Sequence, residues 1–296
     1  MKLPKTPRIL FLGVGKMGLP MARHLLAAGH TLEVHDLDAA RMQLAQAAGL
    51  TLASDPKESL QHADLVISSL PNDSALNSVA AWLAHVGHQH QAWVDTSTVS
   101  LHASAHAAQQ VASRGIEHLR VTVSGNNHMA EAAQLTVLAS GPLDLHEQLL
   151  PLLQCWGPNQ FYLGQAEQSR LMKLVINLMI AQTSAMLAEA LNLGQHGGLD
   201  WAQMWQVIGA SAVGSPIVKA KSVQLSQHDY TPTFTVHQML KDIGLMLQAG
   251  EQLNVPLPQL ANTQQLMRAA IAQGDGELDY AAIIRALSRA SGQPQP

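Results

Sequence analysis

The sequence predicts an α/β Rossmann domain, with a doubly wound and mostly parallel sheet, followed by an all-α C-terminal domain. Three observations support this fold class. A short apolar run at 8–12 breaks into a glycine-rich turn and continues as a helix. Up to residue 163, short apolar runs alternate with amphipathic segments, and after Gly164 only helical patterns follow. We therefore place the two domains at residues 1–164 and 165–296.

The glycine turn has the pattern G-x-G-x-x-G, with Lys16 and Met17 between its last two glycines. Gly13 permits the tight turn, Gly15 lets a pyrophosphate approach the backbone, and Gly18 lets the helix pack closely on the strand. N–H groups at the helix start attract the phosphates. The turn therefore predicts a bound dinucleotide, with all five of these residues in contact with it.

An acidic residue at the end of the second strand bears on the choice of cofactor. Asp36 follows the strand at 32–35 and lies 21 residues beyond Gly15. Its carboxylate would accept hydrogen bonds from the adenosine ribose and repel a 2′-phosphate, which favours NAD over NADP. Two alternatives stay open: Asp36 is an ordinary turn residue, or it caps the helix that begins near Ala39. Arg41 is a second candidate partner, for a cofactor phosphate.

The remaining elements follow from apolar periodicity and turn residues. The predicted strands are 8–12, 32–35, 50–52, 65–70, 92–95, 116–119, 135–139 and 160–163. The predicted helices of the second domain are 168–195, 200–210, 216–226, 235–253, 257–273 and 279–290. The first of these is apolar on more than one face, which predicts a buried central helix or a subunit interface in a homodimer or homotetramer. We expect residues 292–296 to form a frayed tail.

Composition indicates an ordinary globular protein of about two domains. Of 296 residues, 47% are hydrophobic and 13% charged. A formal charge of −4 and an aromatic content of 4% argue against nucleic-acid binding. The single Cys155 excludes an internal disulfide framework. We read no signal peptide and no membrane span, so a cytoplasmic location is expected.

Fifteen histidines raise the question of a metal site. The closest groupings are His85, His88 and His90, and the helical pair His102 and His106. Neither has a neighbouring cysteine or carboxylate that completes a zinc or iron ligand set. We expect solvated surface histidines and no metal.

Four separated motifs resemble those of the β-hydroxyacid dehydrogenase family, which includes 3-hydroxyisobutyrate dehydrogenase and tartronate semialdehyde reductase and has a 6-phosphogluconate dehydrogenase-like NAD(P)-binding domain. The first motif, residues 13–22, is similar to the family's G-x-G-x-M-G-x-x-M-A. Leu70 and Pro71 follow one strand, and Thr98 follows the next. Their resemblance to family loops implies that they hold the adenosine side and the nicotinamide ribose. Ser100 stands where the family usually has proline.

The second motif covers 123–125 and 130–136 and resembles the substrate signature D-A-P-V-S-G-G-x-x-G-A-x-x-G-x-L. The resemblance implies that Ser124 and the Gly125 amide bind the substrate carboxylate. Asn126 replaces a family glycine and adds its side chain to the same pocket, so we expect it to contact the substrate. The alternative is a Ser-Gly turn between two strands without a ligand. The positions that depart from the family pattern are Arg120, Val121, Thr122, Asn126, Met129 and Ala133.

The third motif, residues 164–177, is similar to G-x-x-G-x-G-x-x-x-K-x-x-N-N. A spacing of four places Lys173 and Asn177 on one helical face. The resemblance implies that Lys173 is the catalytic general acid/base and that Asn177 binds substrate. The alternative is a lysine that extends to solvent from an apolar helix. Glu167 and Ser169 replace family glycines, which puts at risk the close approach of the helix start to the substrate.

The fourth motif, residues 234–243, resembles F-x-x-x-x-x-x-K-D-L. The resemblance implies that Lys241 reaches across an interdomain cleft towards the cofactor or substrate and that Phe234 lines the mouth of the substrate site. The alternative is an ordinary surface lysine on an amphipathic helix.

These motifs predict an NAD(P)-dependent oxidoreductase that interconverts a small 3-hydroxy acid and its semialdehyde or keto acid. Hydride transfer to a carbonyl builds negative charge on oxygen, and a cation that donates a proton, such as Lys173, stabilises that charge. Two alternatives stay open. One is reduction of a different carbonyl or of an imine on the same scaffold, and the other is a catalytically silent dinucleotide-binding sensor. Lys173 argues against an imine reductase and against a silent binder.

Overall fold

A computed structural model describes residues 2–292, and the chain divides into two compact units between Lys173 and Leu174. The boundary lies inside a helix that begins at Gln168, whereas the sequence analysis places it before that helix, at residue 164. The first two turns of the helix therefore pack with the first unit. Residues 293–296, most of the predicted tail, lie outside the described residues.

In the described residues, the first unit contains an eight-stranded sheet in the order β3-β2-β1-β4-β5-β6-β7-β8. Neighbouring strands are parallel except for β6 and β7, which are antiparallel. The strands are β1 (Ile9–Leu12), β2 (Leu32–His35), β3 (Thr51–Leu52), β4 (Leu65–Ser68), β5 (Ala92–Asp95), β6 (Glu117–Ser124), β7 (Thr136–Ser140) and β8 (Asn159–Tyr162). The prediction of a doubly wound, mostly parallel sheet is confirmed.

Helices cover both faces of this sheet. They are α1 (Gly18–Ala27), α2 (Ala39–Ala47), α3 (Pro56–His62), α4 (Asp73–Val86), α5 (Leu101–Ala112), α6 (Asn127–Glu131) and α7 (Leu143–Leu153). Along β1, Ile9 and Phe11 belong to a core cluster with α1, α2 and α7, while Leu10 and Leu12 belong to one with α3, α4 and α5. The run is apolar throughout because alternate side chains enter two different cores.

Strand β6 is longer than predicted, and the short helix α6 was not predicted. The predicted strand ends at residue 119, before Arg120 and Thr122, whereas the observed strand continues to Ser124. Both polar side chains are buried, at 8% and 0% exposure, because partners elsewhere in the unit satisfy them. In the sequence, a buried polar residue whose partner is distant looks the same as a polar residue that ends a strand.

The second unit is helical. The helices are α8 (Gln168–His196), which spans the boundary, α9 (Trp201–Ala210), α10 (Pro216–Leu225), α11 (Val236–Gln252), α12 (Pro258–Ala272) and α13 (Ile283–Ala290). Each overlaps a predicted helix. Thr235 and Gln238 form a reciprocal capping box that fixes the start of α11.

The prediction that α8 is a buried central helix holds for only part of its surface. Its buried residues include Leu174, Ala181, Ala188 and Leu191. Another stripe is exposed and apolar, formed by Met172, Val175, Met179, Met186 and Leu193. Within the described residues, α8 is also the one helix whose length and composition would suffice to cross a membrane, a criterion that core helices of soluble proteins meet as well.

A buried histidine makes the stability of the first unit depend on pH. His118 on β6 stacks on Trp93 of β5, with ring centroids 4.2 Å apart, and neither ring nitrogen has a hydrogen-bond partner. Burial lowers the pKa of His118 well below its ordinary value, and the charges of Arg120 and Arg170 lower it further. Below about pH 6.5 the unfolded chain binds a proton here that the folded chain does not, so acid favours unfolding.

Replacing His118 with phenylalanine should remove this acid sensitivity while keeping the stack on Trp93. Between about pH 7.5 and pH 5.5 the variant should lose about 1.4 kcal/mol less unfolding free energy than the wild type, measured by urea titration. His85→Phe, at an exposed position, is the control for loss of any histidine. Equal pH dependence in wild type and His118→Phe would contradict the assignment.

Candidate active site

The glycine turn joins β1 to α1 and packs tightly against its neighbours. Gly13 has φ +91°, and a Cβ there would overlap the carbonyl oxygen of Ser69, which follows β4. A Cβ on Gly18 would overlap the Gly13 carbonyl oxygen and lie 3.2 Å from the Phe11 ring. Both positions therefore exclude any side chain.

The start of α1 is suited to an anionic ligand. Met17, at the N-cap position, makes no side-chain capping bond to the first-turn N–H groups. A Cβ built on Gly15 meets nothing nearer than the Arg41 guanidinium, 3.6 Å away. An uncapped helix start beside a guanidinium attracts phosphate. Both features fit the pyrophosphate of a dinucleotide.

Asp36 is tied to this turn and does not cap α2. Its Oδ2 accepts a hydrogen bond from the Val14 backbone N–H (2.9 Å) and lies 3.6 Å from Arg41 Nη1. The cap of α2 is Asp38, whose Oδ1 accepts from the Ala40 N–H (2.9 Å). The N-cap alternative for Asp36 is therefore wrong, and its carboxylate lies at the mouth of the glycine turn.

Two loops at the carboxyl edge of the sheet are joined through Asp95. The Leu70 N–H donates to Ser97 Oγ (2.8 Å), which donates to Asp95 Oδ1 (2.7 Å). Ser68, the last residue of β4, also donates to Asp95 Oδ1 (2.5 Å). The half-buried Leu70 thus belongs to one hydrogen-bonded unit with Ser97, Asp95 and Ser68, and Pro71 beside it is exposed. Thr98, which follows Ser97 in the chain, is half-buried.

The hydrogen bonds of Ser100 explain why serine stands where the family usually has proline. Its N–H donates to Asp73 Oδ1 (2.9 Å), its hydroxyl donates to Asp73 Oδ2 (2.6 Å), and its Oγ accepts from the Ala103 N–H at the start of α5 (3.0 Å). Proline has neither the N–H nor the hydroxyl. The replacement therefore adds a link between α4 and α5.

The substrate-signature loop follows β6. Asp95 pairs with Arg120 in the β5–β6 register, so Ser124 extends four residues past the end of β5, roughly 13 Å. Asn126 caps α6, its Oδ1 accepting from the Met129 N–H (3.0 Å). That oxygen is bound in the cap, so only the Asn126 Nδ2 group is left as a donor for substrate.

Two other replaced glycines keep the path of this loop in different ways. Ala133 has φ +52°, a conformation that glycine adopts without strain, so the backbone turn is retained. The Met129 side chain lies against Gly125, 3.2 Å from where a Cβ would be. Ala133 thus holds a backbone conformation that favours glycine, and Met129 fills the space beside Gly125.

The replacements at the start of α8 compensate one another. Arg120 Nε and Nη2 lie 2.9 and 2.7 Å from Glu167 Oε1, where the family pattern has aspartate and glycine. Ser169 Oγ donates to the Arg120 carbonyl oxygen (3.2 Å), and its own carbonyl oxygen accepts from Thr122 Oγ1 (2.9 Å). Glu167 and Ser169 thus bind the sheet, and they anchor the helix start to β6.

In the helical unit, Asn177 and Lys241 are linked through Asp242. Asn177 is 5% exposed, and its Nδ2 donates to Asp242 Oδ2 (2.7 Å). Lys241 Nζ lies 2.9 Å from Asp242 Oδ1. Asp242 is the aspartate of the K-D-L motif, to which the sequence analysis assigned no role; its position next to Lys241 on an amphipathic helix is the signal that could have identified it. Phe234, just before α11, packs edge-on against Tyr280, with ring centroids 6.4 Å apart.

Two charged residues that sequence reasoning did not assign are buried in the first unit. Arg170 and Asp95 are 1% and 0% exposed and form an ion pair. A charge inside an otherwise apolar helix was the available signal for Arg170. Lys173, three residues later, is half-buried. Within residues 2–292, no group of three or more His, Cys, Asp or Glu is arranged to hold a metal ion.

The sheet, the glycine turn and the loops at the carboxyl edge define a dinucleotide-binding Rossmann fold. Residues 8–164 match the family model of the NAD binding domain of 6-phosphogluconate dehydrogenase. Residues 168–287 match the model described as NAD-binding of NADP-dependent 3-hydroxyisobutyrate dehydrogenase.

Relatives with assigned names match almost the whole chain. The 2-(hydroxymethyl)glutarate dehydrogenase of Eubacterium barkeri is 32% identical over 294 residues, which cover 98% of each chain. The chloroplastic glyoxylate/succinic semialdehyde reductase 2 of Arabidopsis thaliana is 30% identical, covering 97% of this chain and 81% of its own. The structure of Mycobacterium tuberculosis 3-hydroxyisobutyrate dehydrogenase with L-serine aligns with a TM-score of 0.87 at 25% identity, covering 95% of this chain and 99% of its own.

The chain belongs to the β-hydroxyacid dehydrogenase family. It is an NAD(P)-dependent oxidoreductase that acts on the CH–OH group of a small hydroxy acid, so its substrate carries a carboxylate.

Proposed function

We propose that this dehydrogenase interconverts a small 3-hydroxy acid and its semialdehyde or keto acid, with Lys173 as general acid/base. The observation that supports this proposal best is that hydrogen bonds join the start of α8 to two different segments, the loop after β5 and strand β6. Arg170 Nη1 donates to the Ser97 carbonyl oxygen, in the loop assigned to the cofactor, and Thr122 Oγ1 donates to the Ser169 carbonyl oxygen from the strand that ends in Ser124. Lys173 is thus carried by a helix start joined to both loops.

Each residue then has a defined task. When bound, the nicotinamide supplies or accepts the hydride. Lys173 donates a proton to the substrate oxygen during reduction and accepts it from the alcohol during oxidation. The Ser124 hydroxyl and the Gly125 N–H donate to the substrate carboxylate, a charge-assisted contact that fixes orientation without adding a reactive group. Together these residues hold one end of the acid and neutralise charge at the other.

Asn177 and Lys241 complete the proposal from the helical unit. Because Asn177 Nδ2 donates to Asp242, its Oδ1 is turned away from that carboxylate, where it suits a substrate hydroxyl. Asp242 likewise holds Lys241 at 2.9 Å, which restrains a side chain that we assign to the cofactor or substrate. We assign Phe234 to the apolar wall of the substrate site.

The identity of the acid rests on the substrate-signature loop. Asn126 and Met129 add side chains where the family motif has glycine, so we expect a substrate different in shape from that of relatives with the full motif. The alternatives are reduction of another carbonyl or of an imine, or a silent cofactor sensor. Lys173 favours acid-base chemistry over both.

A substrate panel and one variant test this function together. The panel takes its acids from the named relatives: 2-(hydroxymethyl)glutarate, 3-hydroxyisobutyrate, L-serine, glyoxylate and succinic semialdehyde. With the best of these, Lys173→Met should lower kcat by about 10²–10⁴-fold and leave the NADH dissociation constant nearly unchanged, because the proton donor is lost while the cofactor loops remain.

Lys57→Met, on exposed helix α3, is the matched control and should retain wild-type kcat. Turnover of Lys173→Met within tenfold of wild type would remove the lysine from the mechanism. Activity on none of the acids, with NADH still bound, would favour the silent sensor or a substrate that is not an acid.

We also propose that NAD is favoured over NADP. Around the end of β2, the two carboxylates of Asp36 and Asp38 face the single guanidinium of Arg41, at 3.6 Å from each. The local charge is therefore net negative, which disfavours a 2′-phosphate. Asp36 retains acceptor capacity for ribose hydroxyls beside its bonds to the Val14 and Asp38 N–H groups.

Asp36→Asn should reverse part of this preference. We expect the NAD dissociation constant to rise roughly tenfold and that of NADP to fall, because a strong acceptor and a negative charge are lost together. Both constants are measured by calorimetry. Asp55→Asn, which changes the N-cap of α3, is the matched control. Tighter binding of NADP than NAD by the wild type would contradict the proposal, and Arg41 would then be the phosphate partner.

Assembly and location are further parts of this proposal. The exposed apolar stripe of α8 favours a homodimer or homotetramer, because such a surface is covered in most soluble proteins. Light scattering measures the molar mass and therefore the oligomeric state. The mass of a monomer would contradict the proposed homodimer or homotetramer. We propose a cytoplasmic location, which fractionation of the source cells would test.

A further inference from the structure

We propose that Arg170 is a positioning residue that couples Lys173 to the cofactor loop after β5. The inference rests on the proposed role of Lys173 and goes beyond it. It assigns a function to an arginine that is only 1% exposed. Its basis is the set of hydrogen bonds that Arg170 makes inside the first unit.

The guanidinium of Arg170 uses all three of its nitrogens. Nη2 is 2.5 Å from Asp95 Oδ2, Nη1 donates to the Ser97 carbonyl oxygen (2.5 Å), and Nε donates to Ser104 Oγ (3.2 Å). These partners belong to the end of β5, the following loop and helix α5. A planar fork bound at three points fixes the position of the first turn of α8 against all three elements.

Asp95 extends this contact to the other cofactor loop. Its Oδ1 accepts from Ser68 and Ser97, and Ser97 Oγ in turn accepts from the Leu70 N–H. Movement of the arginine would therefore disturb the loops after both β4 and β5. The ion pair connects them to the helix that carries Lys173.

Arg170 and Lys173 lie on the same stretch of helix, so a displacement of Arg170 also displaces Lys173. A separation of three residues places Lys173 about 4.5 Å along the axis on the neighbouring face. Ser169 anchors the same turn to β6 and β7, through the Arg120 carbonyl oxygen and Ser140 Oγ. The turn is held from two sides, so loss of the arginine fork releases one side and lets the helix start tilt.

Such a tilt matters for catalysis more than for folding. A misplacement of about 1 Å at a reacting group costs about 10²-fold in rate. A buried ion pair can often be replaced by apolar groups without loss of stability, so stability alone does not explain an arginine here. The Arg170 guanidinium binds a cofactor loop and lies about one turn before Lys173. This geometry indicates that Arg170 positions the lysine.

The test uses Arg170→Lys, which keeps the charge and removes the fork. In the cofactor-free protein, amide hydrogen exchange of 96–99 and 169–173 should rise together, each roughly tenfold, because one link holds both segments. With the best acid of the panel, kcat per folded molecule should fall about 10²-fold. Arg114→Lys, at a partly buried arginine that donates to the Gly87 carbonyl oxygen, should leave both readouts unchanged.

If Arg170→Lys does not fold, the double variant Asp95→Asn/Arg170→Met removes both charges together and should show the same joint rise in exchange. The proposal is overturned if exchange rises at 169–173 alone, or if kcat per folded molecule stays at the wild-type value. The two proposals fail separately: a wild type inactive on every acid counts against the function, whereas an active wild type with uncoupled exchange counts against this inference alone.

Discussion

A buried carboxylate at the carboxyl edge of a parallel sheet organises the first unit. Asp95 is fully buried, and its charge is tolerable only because hydroxyl, backbone and guanidinium donors surround it. Those donors come from β4, from the loop after β5 and from α8. The requirement to satisfy one charge therefore brings together the segments that a dinucleotide and a proton donor need, at the edge where parallel α/β sheets bind their ligands.

Local pattern was enough to predict most of the fold and to locate the glycine turn. The glycine turn, the strands and the helices depend on spacing within a few residues, which the sequence displays directly. The pairing of Arg120 with Glu167 does not, because the two are 47 residues apart and each looks like an isolated departure from the family motif. The same limit hid the end of β6, the capping role of Asn126 and the partnership of Asn177 with Asp242. These depend on contacts that only the folded chain forms.

The departures from the family motif fall into two groups with different consequences. Arg120, Glu167 and Ser169 form bonds to one another or to the sheet, so they replace one way of anchoring α8 with another. Asn126 caps α6 and Met129 lies within it, and both add exposed side chains just after Ser124. Lys173 and the glycine turn match the family motifs, whereas the segment after Ser124 departs from them.

The central claim is that Lys173 delivers the proton to an acid held by the loop after β6. A crystal structure of the complete chain with NADH and a bound hydroxy acid measures this most directly. We expect Lys173 Nζ within about 3 Å of the substrate hydroxyl oxygen. We also expect the substrate carboxylate to accept hydrogen bonds from Ser124 Oγ and the Gly125 N–H. A complex in which Lys173 points away from the substrate, or in which the carboxylate binds elsewhere, would contradict it.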